Sequence, residues 1–74
     1  MQLKDSALEP GEWLVVKGFA PPDLRSMTIT IGSDDYPAFI EGSDIMVRFP
    51  HGYDRDSIVQ VAVNGRNVGR VVAR

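Results

Sequence analysis

Hydrolytic chemistry needs a nucleophile, a base and a group to orient the base, and this chain offers one histidine for the second role. His51 lies in Phe49-Pro50-His51-Gly52-Tyr53-Asp54. The serines Ser6, Ser26, Ser33, Ser43 and Ser57 stand in no nucleophile-elbow context. His51 therefore reads as a loop-tip residue that contacts a partner together with Tyr53, and no catalytic residue is assigned. Asp34, Asp35, Glu41 and Asp44 form an acidic group across two turns. Calcium takes about six to eight oxygen ligands, but the spacing matches no EF-hand loop. Asp and Ser bonding their own backbone in turns is the better account. With no cysteine and a single histidine, thiolate and His-based zinc sites are excluded. No Gly-x-x-x-x-Gly-Lys run is present to cradle phosphate. No cofactor is expected.

The aromatic residues are Trp13, Phe19, Tyr36, Phe39, Phe49 and Tyr53. Single-stranded nucleic-acid binding would interleave them with basic side chains, whereas most here have acidic neighbours. Aromatics beside turns are common interface anchors. A small core also needs large side chains at its ends, and Phe19 and Phe39 are assigned there; Phe49 enters the core by parity. Trp13 and Tyr36 remain open between core and partner.

The elements that must position these residues are strands. Met27-Thr28-Ile29-Thr30-Ile31, Ile45-Met46-Val47-Arg48-Phe49 and Val59-Gln60-Val61-Ala62-Val63 alternate with period two and are rich in β-branched residues. Trp13-Leu14-Val15-Val16-Lys17 is a further strand, with Leu14 and Val16 inward and Trp13 on the rim or outside. Ala38-Phe39-Ile40 is a short strand, and Val68 to Ala73 is the last, with a bulge at Gly69. Asn64-Gly65 between two apolar runs is a hairpin signal, since both central residues of a type I′ turn need positive φ. Pro50 closes the strand ending at Phe49. Gly32-Ser33-Asp34 and Gly42-Ser43-Asp44 read as two similar turns, not an internal repeat. Asp5–Glu9 and Pro22–Arg25 each allow one helical turn. Six strands at this spacing predict an all-β fold, a sandwich or small barrel, in one domain over residues 1–74.

These segments resemble the IPT/TIG type of immunoglobulin-like domain. The matching text is Pro10-Gly11-Glu12-Trp13-Leu14-Val15-Val16-Lys17-Gly18-Phe19 and Met27-Thr28-Ile29-Thr30-Ile31-Gly32. It continues with Asp44-Ile45-Met46-Val47-Arg48-Phe49-Pro50 and Val59-Gln60-Val61-Ala62-Val63-Asn64-Gly65. The likeness covers about residues 8–72, and its opening strand would come from Gln2 to Leu8. The resemblance implies a small immunoglobulin-like β-sandwich of six to seven strands, used for adhesion, domain spacing or dimer contacts, and it carries over no catalytic residue. Stand-alone domains of this type on phage capsids and tails make a decoration protein the concrete form expected, by fold-level analogy.

Composition sets the remaining bounds. With 74 residues and 43% hydrophobic content, the chain supports one modest core, near the lower limit for folding without staples. A net charge of −2 argues against general nucleic-acid binding. Charge is uneven, however: residues 1–46 carry three basic and eight acidic side chains, residues 47–74 five and two. Solvated strand faces and edge protection account for such a division first; the sharper reading is a two-toned surface that orients an acidic partner or a second copy. Without a signal-peptide run or an apolar stretch of membrane length, a cytoplasmic or virion-associated location is favoured, and the starting Met favours a whole small protein.

The expected function is thus a non-enzymatic, protein-binding structural module whose partner is another protein, copies of itself or a virion lattice. The residues expected at the contact are Asp34, Asp35, Tyr36, Glu41, Asp44, His51 and Tyr53. Two alternatives stand beside it. One is a soluble inhibitor or regulator of a host enzyme or nucleic-acid complex, its acids imitating phosphate. The other is a carbohydrate-binding accessory domain using Trp13.

Overall fold

Alternation of apolar and polar side chains gives each long strand one face to bury, and two sheets bury those faces against each other. The computed structural model describes residues 2–18 and 28–74. Nine strands run β1 (Gln2–Leu3), β2 (Ala7–Leu8), β3 (Trp13–Lys17), β4 (Thr28–Ile31), β5 (Asp34–Pro37), β6 (Phe39–Glu41), β7 (Asp44–Arg48), β8 (Ile58–Val63) and β9 (Arg66–Ala73). One sheet has the order β1-β3-β7-β6 and the other β2-β9-β8-β4-β5. All pairings are antiparallel except β2 with β9, which is parallel.

That order is the immunoglobulin arrangement, A-B-E-D facing G-F-C-C′. β1 and β2 divide the first strand between the two sheets, because the bend after Leu3 carries the chain from the edge beside β3 to the edge beside β9. On the opposite side the chain changes sheet between β5 and β6, at Ala38. Both open sides of the sandwich are thus spanned by covalent chain. The candidate helical turn at Asp5–Glu9 is instead this bend and β2; the one at Pro22–Arg25, with Phe19, lies outside the described residues.

The core follows the parity of the strands. Leu14 and Val16, Ile29 and Ile31, Ile45 and Val47, then Val59, Val61 and Val63 are all buried, joined by Leu8, Phe49, Val71 and Ala73. No polar or charged side chain is buried among the described residues. Burial of apolar area is therefore the main stabilising term.

Three details differ from the sequence expectation. Phe39 is not core: it is 60% exposed, because its pairing with Met46 in β7 places it on the outer face. The described residues form nine strands instead of six, partly because Asp34–Pro37 forms a strand where the sequence shows only turn residues. Asp and Pro are poor strand formers, but β5 is an edge strand, where Pro37 costs no ladder bond that matters. The last strand starts at Arg66 and not Val68. Its bulge is where expected, since Val61 pairs with Gly69 while Ala62 pairs with Asn67, leaving Val68 as the extra residue.

The Asn64-Gly65 turn has φ of 49° and 84°, the double positive φ of a type I′ hairpin. Thr28 donates its N–H to the Asn64 side chain at 3.0 Å, and Asn64 donates its own N–H to the Thr28 carbonyl at 2.9 Å. The turn thereby holds the start of β4 as well as its own hairpin.

Candidate functional site

Two surfaces gather chemistry-bearing side chains. The first is at the end of the sandwich where β4 turns into β5 and the β7–β8 connection crosses between sheets. Gly32, Ser33, Asp34, Tyr36, His51, Gly52 and Tyr53 line an open recess of about 490 Å³ there. Its floor is set by Tyr53. The Tyr53 ring stacks on buried Phe49, with centroids 5.8 Å apart and an interplanar angle of 29°. Its hydroxyl donates to the Ile31 carbonyl at 3.0 Å. Gly32 makes this possible: a Cβ at that position would stand 2.5 Å from the Tyr53 hydroxyl oxygen, and its φ is +64°. The Gly32 N–H in turn donates to the Gln60 carbonyl at 2.9 Å. Burial, then the neighbouring Tyr36 and Asp34, hold the Tyr53 phenol above its ordinary pKa. Tyr53 is thus a clip between the β7–β8 connection and the end of β4, while Asp34, Tyr36 and His51 form the polar rim.

The expected contact residues divide. Asp34, Tyr36, His51 and Tyr53 come together at the recess. Asp35 does not join them; it accepts a hydrogen bond from Thr30 at 2.6 Å on the outer face of the five-stranded sheet. Glu41 and Asp44 flank the β6–β7 turn in the other sheet. That turn adjoins the end of β3, since Val16 pairs with Ile45. The recess adjoins the start of β3, since Phe49 donates to the Glu12 carbonyl at 2.8 Å. The four acids therefore form two pairs at opposite ends and not one acidic surface.

The second surface is the outer face of the four-stranded sheet. Strand alternation places Trp13, Val15 and Lys17 of β3, Asp44, Met46 and Arg48 of β7, and Phe39 and Glu41 of β6 on this side. Register arranges them in three rows across the sheet. Val15, Met46 and Phe39 form the middle row. Trp13 pairs with Arg48 on one side of it, and Asp44 pairs with Glu41 on the other, with Lys17 one step past the Val16–Ile45 pair. Trp13 and Phe39 meet edge to face, centroids 6.0 Å apart at 89°. The Arg48 guanidinium carbon lies 4.0 Å from the Trp13 ring centroid, a cation–π contact. Arg48 also donates to the Gly11 carbonyl at 2.8 Å. One of its five donors is thus used and its head is held in place.

Sequence reasoning left Trp13 open and assigned Phe39 to the core, so it did not find this surface. The available signal was parity in β7, which already put Met46 and Arg48 on one outer face. Their neighbours across the sheet depend on strand register.

Among the described residues, no group of three His, Asp or Glu side chains could hold a metal ion. What the fold defines is a class, a small β-sandwich with immunoglobulin strand order. Comparison with protein-family models, with curated proteins and with solved structures finds no match for this chain.

Proposed function

We propose that this chain is a protein-binding structural module that docks through the outer face of its four-stranded sheet. The observation that carries this is the exposed Trp13–Phe39 pair with Arg48 stacked on it. Trp and Arg are the side chains that most often dominate interface energetics, above all where aromatic area sits beside a charge already held in place. The core closes without either ring, since the buried cluster is complete on the inner faces. Leaving Phe39 60% exposed and Trp13 36% exposed is a cost to solubility that a binding role accounts for. The chemistry of the face, an apolar row between charged rows of opposite character, fits a protein surface with the complementary pattern. A catalytic reading has less support: the recess is open, and no nucleophile there stands hydrogen-bonded to His51 among the described contacts. A decoration or assembly role in a repeated lattice is the form of this module that its resemblance to IPT/TIG text favours.

A photo-crosslinking residue placed at Phe39, at His51 or at Gln60 tests the assignment in the native setting. Gln60 lies on the outer face of the other sheet. The expected result is a discrete protein adduct from position 39 and none from 60. Adducts from 51 alone would move the interface to the recess, and none from any position would remove the binding role.

A further inference from the structure

The three rows on the outer face of the four-stranded sheet are self-complementary, and we propose that this face docks onto the same face of a second copy of the chain. The inference rests on the protein-binding reading above and names the partner.

A face-to-face pair of identical sheets is related by a two-fold axis lying between them, so every contact from residue i to residue j′ is repeated from j to i′. Two orientations of the axis are simple. With the axis parallel to the strands, each row faces its own copy, so Arg48 meets Arg48 and Asp44 meets Asp44, both repulsive. With the axis perpendicular to the strands and crossing β7 at Met46, the strands of the two copies run antiparallel. The middle row, Val15, Met46 and Phe39, then faces itself. Arg48 and Trp13 face Asp44, Glu41 and Lys17 of the other copy. The reason is that Asp44 and Arg48 lie two residues on either side of Met46 on the same strand face. Each Arg48 meets a carboxylate, and each Trp13 faces a lysine, while the apolar rows close between them. Opposed potentials of this kind fix orientation and register in an interface.

The size of the face sets the strength of such a dimer. Its strands have at most five residues, so at ~3.3 Å per residue and ~4.8 Å between four strands the flat face covers roughly 300 Å², below the ~800 Å² per partner of a standard interface. The apolar row is only three residues wide, which places the pair in the weak, concentration-dependent class.

Charge reversal distinguishes a second copy from any other partner. Sedimentation equilibrium of the purified chain up to millimolar concentration is expected to show a monomer–dimer equilibrium. Arg48→Asp places an aspartate against Asp44 of the other copy, and symmetry makes that contact twice; Asp44→Arg does the same with arginines. Each single variant is expected to weaken the dimer by about tenfold or more, since like charges juxtaposed in an interface cost several kcal/mol. The double variant Asp44→Arg with Arg48→Asp exchanges the rows and is expected to regain the dimer. Because Arg48 also stacks on Trp13, the native near-ultraviolet circular dichroism of each variant is recorded. If Arg48→Asp proves unfolded, Asp44→Arg alone with Phe39→Ser carries the test, both expected to weaken the dimer. A chain that stays monomeric at millimolar concentration overturns the self-association, as does a double variant no better than the singles. A position-39 crosslink to a different protein, with a monomeric chain in solution, keeps the protein-binding reading and rejects the second copy.

Discussion

Substituting Gly32 by alanine tests the account of the recess most sharply. Two costs are written into the geometry. At φ of +64° an L-residue with a Cβ meets the following carbonyl, at about 1–2 kcal/mol. The new Cβ would also stand 2.5 Å from the Tyr53 hydroxyl oxygen and 3.3 Å from the ring carbon Cζ. Two atoms cannot share that space, so the phenol must move and give up its 3.0 Å hydrogen bond to the Ile31 carbonyl, worth about 1 kcal/mol net. Together Gly32→Ala should cost about 2–3 kcal/mol. For a chain of this length, whose total stability is of order 4–11 kcal/mol, that is a large fraction. Tyr53→Phe alone loses the hydrogen bond, at about 1 kcal/mol. In the Tyr53→Phe background the hydroxyl is gone, and Gly32→Ala should cost only the backbone term, about 1–2 kcal/mol. The double-mutant cycle should therefore close with a coupling near 1 kcal/mol, larger than the ~0.3–0.5 kcal/mol scatter of independent sites. Urea unfolding followed by tryptophan fluorescence, with common slopes, measures all four corners. Strict additivity would refute the reasoning, because it would mean that the phenol does not lie over Gly32.

Asn64→Ala should lower stability by about 1–2 kcal/mol, since it removes the acceptor for the Thr28 N–H and places alanine at a φ of 49°; thermal denaturation would show it as a drop of several degrees, and an unchanged midpoint would count against the turn. Stability should also fall at alkaline pH through Tyr53. Its folded-state pKa is raised, first by burial, so its contribution is complete below the ordinary tyrosine value near 10 and is lost as pH rises through the folded value. Ultraviolet titration should show a phenol step above the ordinary tyrosine value, and Tyr53→Phe should remove it; a titration without that step would contradict the packing described.

Much of the recess was legible in the chain. The loops around 33–44 and 51–56 are where turns, acids and tyrosines gather in the sequence, and four of the seven expected contacts meet at the recess. Asp35 was misplaced for a local reason. In β5 successive side chains point to opposite faces, so Asp35 is turned away from Asp34 and Tyr36 toward Thr30. Once Asp34–Pro37 is read as turn instead of strand, that alternation is lost. Glu41 and Asp44 belong to the second of two similar Gly-Ser turns. Nothing local distinguishes two turns at one end of a sandwich from two at opposite ends. That depends on the change of sheet at Ala38.

The outer face on which the proposals rest divides the same way between local and long-range information. Period-two alternation is a property of single strands, and it is enough to assign the buried side of β3, β4, β7 and β8. The Asn64-Gly65 turn likewise needed only its own two residues, because positive φ is a demand of local geometry. Phe39 is different. In Ala38-Phe39-Ile40 neither parity is polar, so only pairing with β7 decides that Phe39 faces out beside Met46. Trp13, Phe39 and Arg48 come from three strands, of which β6 and β7 form a tight hairpin and β3 lies far earlier in the chain. Their contact exists because β7 runs between β3 and β6 in one particular register, and a shift of one residue would turn each of those side chains to the other face. The sequence determined that β3, β4, β7 and β8 would form strands and which side each would bury. The tertiary structure alone decided which exposed side chains would become neighbours, because register is set by the combined packing of both sheets and not by any one segment.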